Sequence, residues 1–349
     1  MIKPPALKPG DRIAAVSLSW GGPGAIPIRY EAGKRQLEQT FGVELVAAPH
    51  ALREPEWIQA NPAARADDLM WAFQDPSIAA VVSTIGGDDS NRLLPFLDLE
   101  TLTRNPKVFI GYSDTTVTHL ACLKAGLVSF YGPAIMSGFG ENGGLFPYMV
   151  ESVRRVLFQS DPIGPIPENR EGWTVERLEW TDPNLQNQKR KCQQSEGWRY
   201  LQGSGLTEGR LVGGCLDVLD WMIDTDVWPD ASVWEGVILF IETSEMGVPP
   251  EVVSRFLRRL SGLGILQSIN GILFGRPGGH KLSPDEFDDY DDAILSALSR
   301  DGIDIPVITR MDFGHTDPMF VLPYGVSAQI DSDNHTFTIL ESAVTASAT

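Results

Sequence analysis

The amino-acid sequence predicts an α/β protein in which an N-terminal parallel-sheet domain is followed by a smaller C-terminal α/β domain. Three observations carry this expectation. Over the first 135 residues, short β-branched runs alternate with amphipathic segments, and strands that alternate with helices form βαβ units with right-handed crossovers and a parallel sheet. Near residue 160 the alternation breaks into a stretch rich in Pro, Gly, Gln and Trp, and after residue 208 it returns. At 349 residues the chain has room for two domains, since domains run to about 100–200 residues each.

Taken in order, "RIAAVSLS" (12–19), "VELVAAP" (43–49), "IAAVVSTIGG" (78–87) and "KVFIGYS" (107–113) read as strands, with helices near 28–41, 62–75, 89–98 and 114–126. These belong to a domain over 1–165. The Trp-containing stretch, 166–208, is too long for an ordinary connection, so it is a functional loop or a linker with short strands of its own. In the remaining domain, 209–349, helices fall at 214–224, 249–263 and 284–299, and strands at 236–244, 271–276, 306–314 and 325–331. The acidic run "SPDEFDDYDDAIL" lacks the mid-loop Gly and final Glu of a calcium loop. It reads instead as a helix start, with Ser283 as cap and Pro284 in first position.

Hydrophobic residues at 42% and charged residues at 21% describe a globular protein. No stretch approaches the run of about 20 apolar residues that crosses a bilayer, and the prolines of "MIKPPALKPG" interrupt any secretory signal. A cytoplasmic location is therefore expected. With 28 Lys and Arg against 46 Asp and Glu, the net charge is −18, which repels phosphate backbones and anionic lipid alike. Neither a nucleic-acid polymer nor a membrane is expected as partner. Cys122, Cys192 and Cys215 are far apart and without C-x-x-C spacing, against a disulfide framework or a zinc site. No metal and no cofactor is expected.

The chemistry-bearing residues gather at strand ends, where open sheets of this kind bind ligands. Ser113 follows a strand and precedes a helix. That is the place of a nucleophile elbow, although the last glycine of G-x-S-x-G is Thr115 here, and S-D-T-T is also an ordinary helix cap. A serine nucleophile needs a base, and the base an orienting carboxylate. His315, in "DFGHTDPMF", lies at another strand end between glycines and prolines. His119 falls inside a helix, His50 and His335 in polar contexts, and His280 in a Gly-rich loop. Glu242 follows five apolar residues and demands a buried partner, which is either a histidine or a structural Lys or Arg. Gly86 and Gly87 end a further strand, where glycine lets backbone N–H groups approach a ligand; a plain βα turn is the other reading. The N–H of Asp114 would be a second donor. "SWGGPGAIP" only loosely resembles a phosphate loop.

Together "IGGDDSNRLLP", "FIGYSDTT", "GRLVGGCLDVL", "FIETSE" and "FGHTDPMFVLPYG" resemble, in order and spacing, the LD-carboxypeptidase family of serine peptidases. The resemblance covers Pro9 to about Leu340. It implies a Ser–Glu–His triad at Ser113, Glu242 and His315 and an oxyanion hole at Gly86 and Asp114. It also implies an N-terminal domain similar to class I glutamine amidotransferases, a β-rich C-terminal domain, and a homodimer acting on a small peptide or aminoacyl-nucleotide. Family members that trim the terminal D-alanine of murein tetrapeptides carry an Arg-Gly-Gly-Tyr-Gly type segment. "IGGDDSN" resembles instead the microcin C immunity branch, which hydrolyses the amide between an aspartate and a modified AMP. The resemblance implies that Gly87 and Asp88 contact substrate and that Trp173 and Trp180 stack on the adenine; otherwise the two tryptophans cover the interdomain seam. The family's asparagine after the paired glycines is Cys215 here, so Cys215 touches substrate with different hydrogen-bonding capacity. As an alternative nucleophile it lacks a placed histidine.

Overall fold

The structure, a computed structural model, describes residues 1–279 and 282–346. The chain begins with β1 (Arg12–Val16), the short α1 (Gly22–Ala25), α2 (Pro27–Phe41) and β2 (Glu44–Ala47), then α3 (Pro55–Ala60), α4 (Pro62–Gln74) and β3 (Ile78–Ser83). It continues through α5 (Leu99–Arg104), β4 (Val108–Gly111), α6 (Thr116–Lys124), β5 (Phe130–Tyr131), α7 (Pro147–Leu157) and β6 (Gly164–Pro165). After the Trp-containing stretch come β7 (Arg199–Gln202), β8 (Leu206–Cys215), α8 (Leu216–Met222), β9 (Val237–Glu242), α9 (Pro250–Gly262) and β10 (Gly271–Gly275). The last elements are α10 (Phe287–Arg300), β11 (Val307–Met311), β12 (Leu322–Pro323), β13 (Ser327–Asp331) and β14 (Thr336–Ile339).

Two sheets result. The first runs β12-β5-β4-β3-β1-β2, parallel except for β12 at its edge. The second runs β6-β14-β13-β8-β9-β10-β11-β7, with a parallel centre, β8 to β11, and antiparallel flanks. The sheets exchange strands across the expected boundaries: β6 and β7 join the second sheet, and β12 returns to the first. By strand number the second sheet is the larger.

The central strands are buried along their length, as β4 and β9 show, which is why they read as continuous apolar runs rather than alternations. Helix α9 buries Val253, Phe256, Leu257 and Leu260, a helical stripe facing the core. The expected helix at 89–98 is a 3-10 segment, Ser90–Phe96, with Pro95, which has no backbone donor, inside it. β8 was not expected. Its glycines, poor strand formers, mask it, yet a Cβ at Gly213 would stand 1.6 Å from the Phe240 carbonyl on β9, so close strand packing requires glycine there. Helix α7 was likewise unexpected. Ser283 and Glu286 form the reciprocal capping box before α10. Among the described residues no helix is long and apolar enough to cross a membrane.

Both parallel regions send the carboxyl ends of their strands to one cleft. Gly86 follows β3, Ser113 follows β4, Glu242 ends β9 and His315 follows β11.

Candidate active site

The chain turns sharply after β4. Tyr112 is extended, at φ −143° and ψ −174°, and Ser113 then takes φ 63° before a 3-10 turn leads into α6. A left-handed conformation at a residue with a Cβ costs about 1–3 kcal/mol, so the surroundings must hold it. The Ser113 N–H donates to the Tyr131 hydroxyl at 3.0 Å. The Thr116 hydroxyl donates to the Ser113 carbonyl at 2.8 Å, and that of Thr115 to the Tyr112 carbonyl at 2.8 Å. The Ser113 side chain does not cap the helix: Thr115 is the N-cap of α6, with no side-chain cap bond. Ser113 Oγ lies instead 3.0 Å from His315 Nε2.

His315 Nδ1 is 2.7 Å from Glu242 Oε2. The other Glu242 oxygen accepts from the Tyr131 hydroxyl, so a carboxylate with no exposure has both oxygens engaged. Nε2 of His315 also lies 3.1 Å from Glu245 Oε2. Burial lowers the affinity of His315 for its proton, but Glu242, Glu245 and Asp217 outweigh it and push the imidazole up to about 9. The same charges stabilise the imidazolium that forms when His315 takes up a proton.

Gly86 lies against the turn. A Cβ there would stand 3.1 Å from Ser113 Oγ and 3.7 Å from the Asp114 nitrogen, so glycine keeps open the space beside the hydroxyl. Gly87, at φ 151°, has Ser19 Oγ 2.2 Å from where a Cβ would sit, and no other residue fits. The Asp114 side chain is buried and accepts from the Ser90 N–H at 2.9 Å, while the Ser90 hydroxyl donates to the Asp114 carbonyl at 2.8 Å. The turn after β4 and the segment after β3 are thereby tied together. Burial pushes the Asp114 carboxyl above its usual range.

The cleft over Ser113 measures about 680 Å³, and Gly87, Asp88, Trp180 and Cys215 all line it. Trp180 carries the Arg29 guanidinium 4.4 Å from its ring centre. The expectation for Trp173 is corrected. It is buried, packs against Phe287 at 5.6 Å and Arg276 at 4.9 Å, and is absent from the cleft wall. Paired hydrogen bonds explain this: Trp173 exchanges bonds with Gln193, and Thr174 with Asp317, two residues after His315. Those bonds draw the start of the loop into the core beside His315's own segment and leave Trp180 at the wall. Trp20 and Trp221, both at least one-third exposed, line the cleft as well. Neither sits in a motif; Trp20 lies in the Gly-rich stretch whose glycines serve close packing, as where Gly24 meets the Arg53 backbone. Three arginines complete the wall, Arg29, Arg177 and Arg190, the last paired with Glu141 and Asp317.

Cys215, opposite Glu242 in the β8–β9 register, is buried. Burial and then the Glu242 charge push its thiol well up, which keeps it neutral and removes it as a nucleophile. Ligand atoms of Cys215, Glu242 and His315 lie within 4.8 Å of one another. A metal would need the thiolate and a free carboxylate oxygen, and neither is offered here. His119 is buried, bonded to Ser129 Oγ and the Gly111 carbonyl. His50 pairs with Asp68, and His335 stacks on Tyr200. His280 lies outside the described residues.

Residues 13–132 match the LD-carboxypeptidase N-terminal domain, and residues 208–330 the LD-carboxypeptidase C-terminal domain. The chain belongs to the LD-carboxypeptidase family. It is 34% identical to the microcin C7 self-immunity protein MccF of Escherichia coli, over 79% of this chain and 78% of that protein. Among solved structures, the MccF-like protein from Streptococcus pneumoniae in complex with AMP superposes with a TM-score of 0.85 at 32% identity, covering 94% of this chain and 98% of that one. MccF in complex with aspartyl sulfamoyl adenosine gives a TM-score of 0.85 at 30% identity, over 99% and 100%. Family membership makes the chain a hydrolase of the peptidase class.

Proposed function

We propose that this LD-carboxypeptidase family member is a serine amidase that hydrolyses the amide of an aminoacyl- or peptidyl-nucleotide through an acyl-enzyme, as a detoxifying or self-immunity activity. The observation that carries the reading is the hydrogen-bonded series Ser113, His315, Glu242 at the floor of a cleft walled by Trp180 and arginines. In it, His315 accepts the Ser113 proton as Oγ attacks the carbonyl, and Glu242 orients the imidazole and stabilises its charge. The N–H groups of Asp114 and Gly86 hold the oxyanion. The proton passes from His315 to the leaving nitrogen, and water, activated by the same imidazole, releases the acid and frees Ser113. Removing one oxyanion donor in such a site costs about 3–4 kcal/mol.

The aromatic wall supports the nucleotide. Bases stack on such rings for about 1–3 kcal/mol each, and the Arg29 guanidinium over the Trp180 ring adds positive charge to the same wall. Asp88 and Cys215 line the same cleft and contact the acyl part. We propose a homodimer, as the family resemblance implies, in the cytoplasm, as the sequence predicts.

A second reading, release of the terminal D-alanine from murein tetrapeptides, draws on the same arginines, since a terminal carboxylate suits a guanidinium fork. Parallel incubation with aspartyl sulfamoyl adenosine and with a murein tetrapeptide separates the two. Nucleotide-amide cleavage that Ser113→Ala abolishes and Trp180→Ala weakens, through a KM about tenfold higher, is expected. Turnover of the tetrapeptide alone rejects the nucleotide reading, and hydrolysis retained by Ser113→Ala rejects the acyl-enzyme.

A further inference from the structure

Four hydrogen bonds form a closed ring that leaves Ser113 through its backbone and returns through its side chain. The Ser113 N–H donates to Tyr131 Oη at 3.0 Å, and the Tyr131 hydroxyl donates to Glu242 Oε1. Glu242 Oε2 pairs with His315 Nδ1 at 2.7 Å, and His315 Nε2 lies 3.0 Å from Ser113 Oγ. Tyr131 reaches this place because β5 runs parallel to β4 in a register that sets Tyr131 beside Gly111, two residues before the serine.

We propose that Tyr131 is a positioning residue for acyl transfer, locking the backbone of the nucleophile and the outer oxygen of Glu242 to a single hydroxyl. The proposal rests on the reading of Ser113 as nucleophile. Ser113 and Tyr131 belong to the first sheet, whereas Glu242 and His315 come from the second. One phenol therefore sets the nucleophile and its orienting acid in common register across the two sheets. Tyr131 is 1% exposed, edge-on to Tyr112 at 6.4 Å and against Phe240 at 5.5 Å, so its hydroxyl has little freedom.

Three consequences follow from the ring. With the Ser113 N–H committed to Tyr131, the amide left beside the hydroxyl to meet an oxyanion is that of Asp114, across from Gly86. The left-handed Ser113 also has its partly buried amide satisfied; without that bond the turn has reason to relax. Finally, the phenol draws charge from Glu242 and so tempers the hold of that carboxylate on the His315 proton. Burial and the Glu242 charge keep the hydroxyl protonated, hence a donor, well above its ordinary range.

The test is the pH dependence of Ser113 labelling by a fluorophosphonate, followed by mass spectrometry on the full chain, which needs no knowledge of the physiological substrate. Tyr131→Phe is expected to slow labelling about 10–100-fold and to move the acidic limb to higher pH, because Glu242 then holds the His315 proton harder. On whichever amide is turned over, kcat should fall with KM nearly unchanged. Tyr290→Phe, which removes a buried hydroxyl bonded to the Val248 carbonyl, is the comparison for simple loss of stability, with its limb unmoved. Should Tyr131→Phe not fold, 3-fluorotyrosine at position 131 keeps the shape with a stronger donor, and the limb should move to lower pH. An unmoved limb in the Tyr131 variants, with losses no greater than the drop in melting temperature explains, overturns the proposal. Labelling that persists in Ser113→Ala removes the nucleophile reading itself, a separate outcome.

Discussion

His119 and His315 both bond to the turn that carries Ser113, the first through the Gly111 carbonyl at 2.9 Å and the second through Ser113 Oγ at 3.0 Å. The His119 side chain is buried and that of His315 only 6% exposed, and burial alone disfavours an imidazolium. Around His119 the other partners are neutral: Ser129 Oγ at 2.8 Å and the Tyr324 ring stacked at 4.8 Å. Burial therefore prevails and lowers His119 to about 3. Around His315 stand Glu242, Glu245 and Asp217, which together overcome burial and raise it to about 9. Two histidines on one turn thus differ through the charge of their neighbours. One is a fixed neutral strut; the other can take and return a proton.

The largest effect should come from making His315 resemble His119. Glu242→Gln keeps the shape and removes the charge. Turnover should drop about 10³–10⁴-fold, as when a triad carboxylate becomes an amide, and the acidic limb of kcat/KM should move toward acid as burial regains control. A Glu242→Gln enzyme within tenfold of the parent would show that the His315 charge is not what the site uses.

How far this contrast was legible in the sequence follows from where the signals lie. Glu242 ends a strongly apolar strand and Ser113 and His315 follow closely on two others, so their positions could be read as an approach to one edge of a sheet. Their meeting could not, because it depends on the relative placement of two sheets that share no local pattern. Tyr131 left no mark, since a tyrosine in a two-residue strand looks like core until its hydroxyl is placed. The loop misled in one respect: Trp173 and Trp180 look alike in "GWTVERLEW", and only the backbone pairings of Trp173 and Thr174 send one ring into the core and leave the other at the wall. β8, with Gly209, Gly213 and Gly214, hid because the glycines that admit its neighbours are the residues that weaken a strand signal.

A smaller change separates the inner carboxylate from the outer one. Glu245 is 40% exposed at its side chain and approaches the same nitrogen that faces Ser113. Glu245→Gln removes one charge that raises His315, so the acidic limb should move to lower pH, and the rate at pH 7 should rise a few-fold, less than the effect of a fully buried pair. The pH profile of Ser113 labelling measures this directly. A limb that moves to higher pH would mean that Glu245 weakens, rather than strengthens, the imidazolium.

The smallest effect on catalysis is expected at the other histidine, where the consequence is stability. His119 has a folded value near 3 against about 6.5 unfolded. Below pH 6.5 the unfolded chain gains a proton that the folded chain refuses, so the fold loses stability as pH falls from 6.5 toward 3. His315 has the opposite sign: its raised value contributes stability that is fully present below pH 6.5 and is lost as pH rises through about 9. His119→Asn should cost about 1–3 kcal/mol at pH 8, where a buried hydrogen-bond partner is lost, yet flatten the fall in melting temperature between pH 6.5 and 4. Its acidic limb for labelling should stay close to that of the parent, because His119 bonds the Gly111 carbonyl and meets Tyr131 through its ring, at 5.7 Å, rather than through the hydroxyl that holds Glu242. A limb displaced in His119→Asn would join the two histidines into one titrating system and dissolve the division of labour between strut and base.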